Sequence, residues 1–265
     1  MTAVPEPSDL ASRVTRSAKK LARKGLEKAP GAARLARTSY FVVLNWSATQ
    51  QVAYRAWLRM RAREAEQPAR VVGGASPTVS VVLDVAGQAP TAAERAVARV
   101  LAQTYENWDL TVTSDALATP HVPRSRRHRI VVVEGSTLAE RVNAALTRCD
   151  GDFLVVVGPD DVLYPDSFAA LAAALSDDPS ADIVYGGDDV AVLAVDHRGV
   201  EQVARRDPFF KPGWNPELLH SMPYLGTVTW FRTSQVVAAG GLRDVQGAEL
   251  WDSQLRLTQI GRAHV

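Results

Sequence analysis

At 265 residues and 46% hydrophobic content, the chain can bury one substantial core, which excludes a disordered protein and sets an expectation of one to two domains. Its single cysteine, Cys149, excludes an intrachain disulfide, and no zinc-type Cys/His spacing occurs, so a reducing, cytosolic setting is expected. The net charge of +1 conceals an asymmetry: residues 1–70 carry 14 Lys/Arg against 5 Asp/Glu, and residues 71–265 carry 16 against 24.

The first stretch, "LASRVTRSAKKLARKGLEKAPGAARLAR" over residues 10–37, reads as two short basic amphipathic helices broken at Gly25 and Pro30-Gly31. Two readings stand: attachment to an anionic membrane surface, to which each basic residue adds roughly 1 kcal/mol, or a solvated basic arm. Nucleic acid is not an expected partner, because aromatics are not interleaved with the charges. No apolar run approaches the ~20 residues needed to cross a bilayer, and the start lacks the apolar core of a secretory signal. A cytoplasmic protein, peripheral on the inner face of the membrane if the arm binds lipid, is the expectation. Residues 47–66 form a further expected helix whose Val52, Trp57 and Met60 pack on the main domain, so residues 1–70 make a basic helical arm.

After the linker-like "GGASP" the pattern changes, and a main domain over 77–265 begins. "TVSVVLDVA" (78–86) predicts a strand, and "TAAERAVARVLAQ" (91–103) a helix with a Thr91/Glu94 capping box. Strands follow at 109–113 and 129–135, then a helix over 137–149 capped by Thr137 with Glu140 three residues on. A strand at 152–157, a helix at 166–175 and a strand at 181–186 continue the alternation. Alternating strands and helices, with near-continuous apolar strands, predict an α/β fold whose mostly parallel sheet is covered on both faces.

In "DFLVVVGPDDVLYPDSF" the apolar strand runs straight into Asp160-Asp161. Ligands of open α/β sheets lie outside the carboxyl ends of the strands, where two carboxylates can share a hard cation, Mg²⁺ or Mn²⁺, with a diphosphate. The alternative is a turn of solvated acids with Asp166 capping the next helix. The pair by itself leaves both open.

The order of several stretches adds to this. "VSVVL", "LAQTYENWDL", "NAALTRCDGDFLVVVGPDD", "DIVYGGDD", "DPFFKPGWNPELL" and "GAELWDSQLRLTQIGRA" together resemble family 2 glycosyltransferases of the GT-A fold, most closely bacterial enzymes of cell-surface polysaccharide synthesis, including rhamnosyltransferase-like members. The likeness covers roughly residues 52–265. It implies a Rossmann-like sheet and inverting transfer of a sugar from a nucleotide-diphosphate donor to a glycan or lipid-linked acceptor. Such chemistry needs a cation for the departing diphosphate, a nucleotide pocket and a base. By the resemblance, Asp160 with Asp161 holds the metal, Asp115 the nucleotide, and Glu249 and Asp252 lie at the catalytic helix start.

Departures accompany the likeness. Gly158 replaces the first acid of the metal motif, Ser114 the first acid of the nucleotide segment, and Asp84 and Gly87 the usual proline and asparagine after the first strand. Asp84 is thereby a donor-site candidate. Leu250 stands where the base usually is, which leaves Glu249 or Asp252 to substitute; losing general-base help costs ~10²–10⁴-fold in rate. A rival reading is therefore a catalytically inactive relative that binds a nucleotide, a glycan or a partner enzyme.

"VYGGDDVAVLAVDHRGVEQV" predicts a hairpin with its tip at "DHRG", and its acidic shoulder makes Asp188 and Asp189 candidates for donor or acceptor contacts, or simply solvated. Lys211 has the charge to counter a phosphate, and Trp214 offers a face to a sugar ring; the alternative is a packed loop with Asn215 capping a helix that starts at Pro216. His121 and His220 lack partners at diagnostic spacing and are expected to be structural. "TSQVVAAGGL" predicts a short helix stopped by glycine. The resembled domain continues past "LRLTQIGRAHV", so a fragment and a shortened member are both open readings.

Overall fold

The computed structural model describes residues 52–60, 76–115, 130–260 and 263–264. The basic stretch 10–37, most of the 1–70 arm and His121 lie outside the described residues. The chain divides into two compact units, one holding residues 52–60 and Asp189–Pro208, the other Asp188 and the remaining described residues.

The larger unit is built on a seven-stranded sheet of order β3-β2-β1-β4-β8-β5-β9. Its strands are β1 (Val79–Asp84), β2 (Trp108–Ser114), β3 (Ile130–Glu134), β4 (Phe153–Val157), β5 (Ile183–Tyr185), β8 (Thr229–Arg232) and β9 (Ala263–His264). β1 pairs in parallel with both β2 and β4, Val79 lying opposite Trp108 on one side and Phe153 on the other. Two crossovers close with α2 (Pro90–Leu101) and α3 (Leu138–Leu146), and α4 (Ser167–Asp177) follows β4.

Side chains alternate across the sheet, and both sets are apolar because both faces are covered. Val79, Val81 and Leu83 pack with Val97, Phe168 and Leu171 on one face. Val82, Leu154 and Val156 pack with Val142, Leu219 and Phe231 on the other. Burying a side chain such as the fully enclosed Phe168 contributes about 1.5–3 kcal/mol. The sheet is mainly parallel, as expected, with one reversal that the sequence reading did not assign: β8 runs antiparallel between β4 and β5.

Helix starts follow local chemistry, with one correction. The expected Thr91/Glu94 capping box does not form, because α2 begins one residue earlier at Pro90, with Ala89 at the cap and no side-chain bond. Proline's fixed φ presets the first helical position, and Thr91 is drawn inside the helix. At α3 the box does form: the Thr137 side chain accepts from the Glu140 amide and Glu140 reaches back. Asp166 occupies the cap position of α4 without a side-chain cap bond. Asn215 caps the short α5 (Pro216–Ser221), which starts on Pro216 as predicted. The other helices are α6 (Thr233–Ala238) and α7 (Glu249–Ile260).

The smaller unit holds α1 (residues 52–60) and most of a two-stranded hairpin, β6 (Asp188–Val195) and β7 (Glu201–Phe209). The hairpin turns at the predicted tip, where the Asp196 carboxylate accepts from the Arg198 and Val200 amides at 2.9 Å each. In α1 the expected packing of Val52 is corrected: it is 65% exposed, and Ala53 and Tyr54 carry the burial. Tyr54 stacks on Trp57 and donates its hydroxyl to Asp189.

Candidate functional site

The parallel register lines up the strand ends that carry the polar residues. Asp84 lies opposite Thr113, Ser114 opposite Glu134, and Leu83 opposite Val157, so Gly158 is the next residue beyond β4. Of the candidate positions, Asp84, Asp115, Asp160 and Asp161 lie at or just past these strand ends, while Lys211 and Trp214 lie in the segment between β7 and α5.

At the β1 and β2 ends, Asp84 does not stand free. Its carboxylate takes a two-bond fork from Arg141, Nε to Oδ1 and Nη2 to Oδ2 at 2.8 Å each, and a third bond from the Thr113 hydroxyl at 2.9 Å. Asp115 accepts the Gly87 amide on Oδ2 at 3.0 Å. Its Oδ1 and the Ser114 hydroxyl are buried without a hydrogen-bond partner among the described residues, which leaves two polar atoms at the nucleotide-candidate position with bonding capacity to spare.

At the β4 end, Asp161 folds back on its own turn. Its Oδ2 accepts the Gly158 amide at 2.8 Å, and the Thr227 hydroxyl lies 3.2 Å from Oδ1. Burial pushes the Asp161 carboxyl above its ordinary value, against the pull of those two bonds. Asp160 beside it is exposed. Arg99, from α2, fastens the turn's backbone by donating to the Pro159 and Asp161 carbonyls at 3.2 and 3.4 Å.

Among the described residues no group of three or more His, Cys, Asp or Glu side chains has a metal-holding arrangement. The adjacent carboxylates that could hold a hard divalent cation, with water and a diphosphate completing its oxygen shell, are Asp160, which is exposed, and Asp161, whose oxygens also accept from Gly158 and Thr227.

Across β8 from β4, Asp188 and Lys211 pair at 3.0 Å. The Lys211 side chain is only 3% exposed and also donates to the Leu225 carbonyl at 2.6 Å, so its ammonium is directed at protein groups and not at open space. Burial lowers its pKa, which Asp188 partly restores. Asp188 is half exposed. Asp189 is placed differently: its side chain is buried, not solvated, and is held by Arg205 at 2.7 Å and by the Tyr54 hydroxyl within the smaller unit. Trp214 packs against the second core cluster.

At the start of α7, Glu249 is buried and accepts the Gly247 amide at 2.9 Å. Leu250 packs against the core. Asp252 accepts from Arg243 at 3.0 Å and from Arg256 at 2.8 Å, and these two guanidiniums, Arg243 foremost, hold its carboxyl below the usual range.

Sequence reasoning missed Arg141, Arg99, Thr227 and Gln254. Arg141 had a signal, since it lies on the same helical stripe as Leu138, Val142 and Ala145, where a charge requires a buried partner. Gln254 is 1% exposed and donates to the Gly226 carbonyl at 2.7 Å, and nothing local in "WDSQLRL" marks it.

Residues 80–234 match the glycosyl transferase family 2 profile, and the chain belongs to that family. Its mainly parallel, helix-flanked sheet agrees with the α/β fold expected from the sequence. The chain is 31% identical to the O-antigen biosynthesis protein RfbC of Myxococcus xanthus, over 78% of this chain and 16% of that protein. It is 29% identical to the uncharacterized protein y4gI of Sinorhizobium fredii (strain NBRC 101917 / NGR234), over 95% of this chain and 27% of that protein. The chain thus spans well under a third of the length of either relative. Among solved structures it is similar to the mannosyltransferase PcManGT from Pyrobaculum calidifontis in complex with GDP-Man and Mn²⁺, with 18% identity, a TM-score of 0.47, and coverage of 71% of this chain and 54% of that one. A second is S. aureus TarS 1-349 with UDP-GlcNAc, at 15% identity, a TM-score of 0.45, and coverage of 69% and 52%. Family membership rests on the sequence match.

Proposed function

We propose that the chain is the transferase domain of an enzyme of cell-envelope polysaccharide synthesis, which moves a sugar with inversion from a nucleotide-diphosphate donor to a glycan or lipid-linked acceptor. The observation that carries this is the placement of Asp160-Asp161 at the carboxyl end of a central parallel strand, inside the span that matches the family. The name of the Myxococcus relative supports the polysaccharide context, and a hexosyl or deoxyhexosyl group is the proposed cargo. Asp160 and Asp161 would hold Mg²⁺ or Mn²⁺, which neutralises charge on the departing diphosphate. Asp115 and Ser114 offer their spare bonding capacity to the nucleotide, and Asp188 presents a pinned, half-exposed carboxylate to donor or acceptor hydroxyls.

Glu249 is the proposed base. Asp252 is ionised but clamped between two guanidiniums, and a carboxylate so stabilised is a weak proton acceptor. Residues 10–37 are proposed to rest on an anionic membrane surface at the cytoplasmic face. No described helix is long and apolar enough to cross a membrane.

A second reading, a domain that binds without turnover, is favoured by Leu250, whose side chain is committed to the core at the usual base position. Calorimetry with UDP, GDP and dTDP in the presence of Mn²⁺ tests the donor site. Wild type binds at least one of them and Asp160→Ala loses it; no binding by wild type sinks the assignment. Nucleotide release from donor sugars, lost in Glu249→Gln, then separates enzyme from binding module. Removing residues 1–38 lowers binding to phosphatidylserine vesicles if the arm reading holds.

A further inference from the structure

We propose that Lys211 is a positioning residue: its buried ammonium, bound to Asp188 and to the Leu225 carbonyl, holds the 223–228 loop so that the Thr227 hydroxyl stays on Asp161. Its bearing on sugar transfer rests on the reading above, but the loop geometry does not.

The loop is gripped from several sides. Lys211 takes the Leu225 carbonyl at 2.6 Å. Gln254, from α7, takes the next carbonyl, Gly226, at 2.7 Å, and Thr229 bonds both carbonyls at 3.1 and 3.3 Å. The following residue is Thr227, with its hydroxyl 3.2 and 3.4 Å from the two Asp161 oxygens. Three elements therefore meet at one short loop, and the loop touches a proposed metal ligand.

Gly226 is shaped for this closure. Its φ is +77°, and a Cβ there would stand 2.7 Å from the Lys211 ammonium and 3.0 Å from the Asp188 carboxylate. Only glycine combines that backbone conformation with so close an approach. A lysine meant for an incoming phosphate would present its ammonium to solvent, whereas this side chain is 3% exposed. An apolar residue of similar length would fill the same volume without desolvating a charge, but would leave Asp188 without its cation and Leu225 without a principal donor.

The test is amide hydrogen exchange on the full chain, without ligand, read at Gly226 and Thr229, whose amides bond the Pro223 and Thr227 carbonyls. Lys211→Met is expected to raise exchange at these amides about tenfold while β1 and β4 keep wild-type protection. Gly226→Ala retains Lys211 but pushes its ammonium away, and is expected to open the same amides; it also decides the matter if Lys211→Met does not fold. Unchanged exchange in both variants overturns the proposal, as does a uniform rise across β1 and β4, which would make the lysine merely structural.

Where wild type binds a nucleotide with Mn²⁺, the losses from Lys211→Met and Thr227→Val are expected to be less than additive, because both act through one contact. Additive losses would place Lys211 on the diphosphate and overturn the positioning role. A wild type that binds none of UDP, GDP or dTDP defeats the transferase reading alone, and the exchange result still decides the role of Lys211.

Discussion

Arg141 and Asp84 meet in a two-bond fork, 2.8 Å on each arm, with side chains only 8% and 15% exposed. Removing one partner strands the other charge, so Asp84→Ala is expected to cost roughly 3–5 kcal/mol in urea unfolding at neutral pH. The double variant Asp84→Leu/Arg141→Met is expected to recover most of that loss, because no charge is then left unpaired and only the neutral Thr113 hydroxyl and Gly135 carbonyl lose a partner. A double variant no more stable than Asp84→Ala would mean that the pair is not the principal partner of either charge.

Two threonines that look alike in sequence are expected to behave differently. Thr137→Ala removes a formed capping box and is expected to cost about 1 kcal/mol. Thr91→Ala removes a side chain from inside a helix already started by Pro90, and is expected to stay within about 0.5 kcal/mol of wild type. Equal losses in thermal or urea unfolding would contradict the start of α2 at Pro90.

The contrast between those threonines also marks what local sequence can carry. Strands β1 and β4 were legible because burial on both faces demands unbroken apolar runs, and the hairpin because Asp196 and Gly199 supply turn chemistry at its tip. The reversed strand β8 was not, since its direction is set by which neighbours it meets and not by its own residues. The site divides in the same way. Asp160-Asp161 is a strand-end motif visible in one dimension, but the engagement of Lys211 by Leu225, of Asp189 by Tyr54, and of Gly226 by Gln254 depends on residues 14, 135 and 28 positions apart. A charge can be read from sequence; the partner that decides whether it faces a ligand cannot.

Gly158 is the position at which the metal motif is most directly questioned. A Cβ there would lie 3.3 Å from Asp161 Oδ2, a tight contact with the end of a side chain that can give way. Gly158→Ala is therefore expected to cost under about 1 kcal/mol. Gly158→Asp adds a third oxygen donor and a negative charge beside Asp160 and Asp161, and is expected to tighten Mn²⁺ binding about tenfold in calorimetry. Unchanged Mn²⁺ affinity in Gly158→Asp would place any cation site elsewhere.

Asp252 offers a prediction in pH. Arg243, with Arg256 behind it, lowers its carboxyl pKa in the folded chain, while the unfolded chain keeps the ordinary value of about 3.9. Between the two values the unfolded state binds more protons, so stability rises with pH through that window. The contribution is complete above the ordinary value and is lost as pH falls through the folded one. The stability difference between wild type and Asp252→Asn is thus expected to stay flat from pH 7 to about pH 4 and to shrink below it. A difference that instead grows in favour of wild type as pH falls from about 7 to 4 would mean that the folded carboxyl titrates above its ordinary value and that the guanidiniums do not hold it, and would return Asp252 to consideration as a base, because a proton acceptor works best with a pKa near the operating pH.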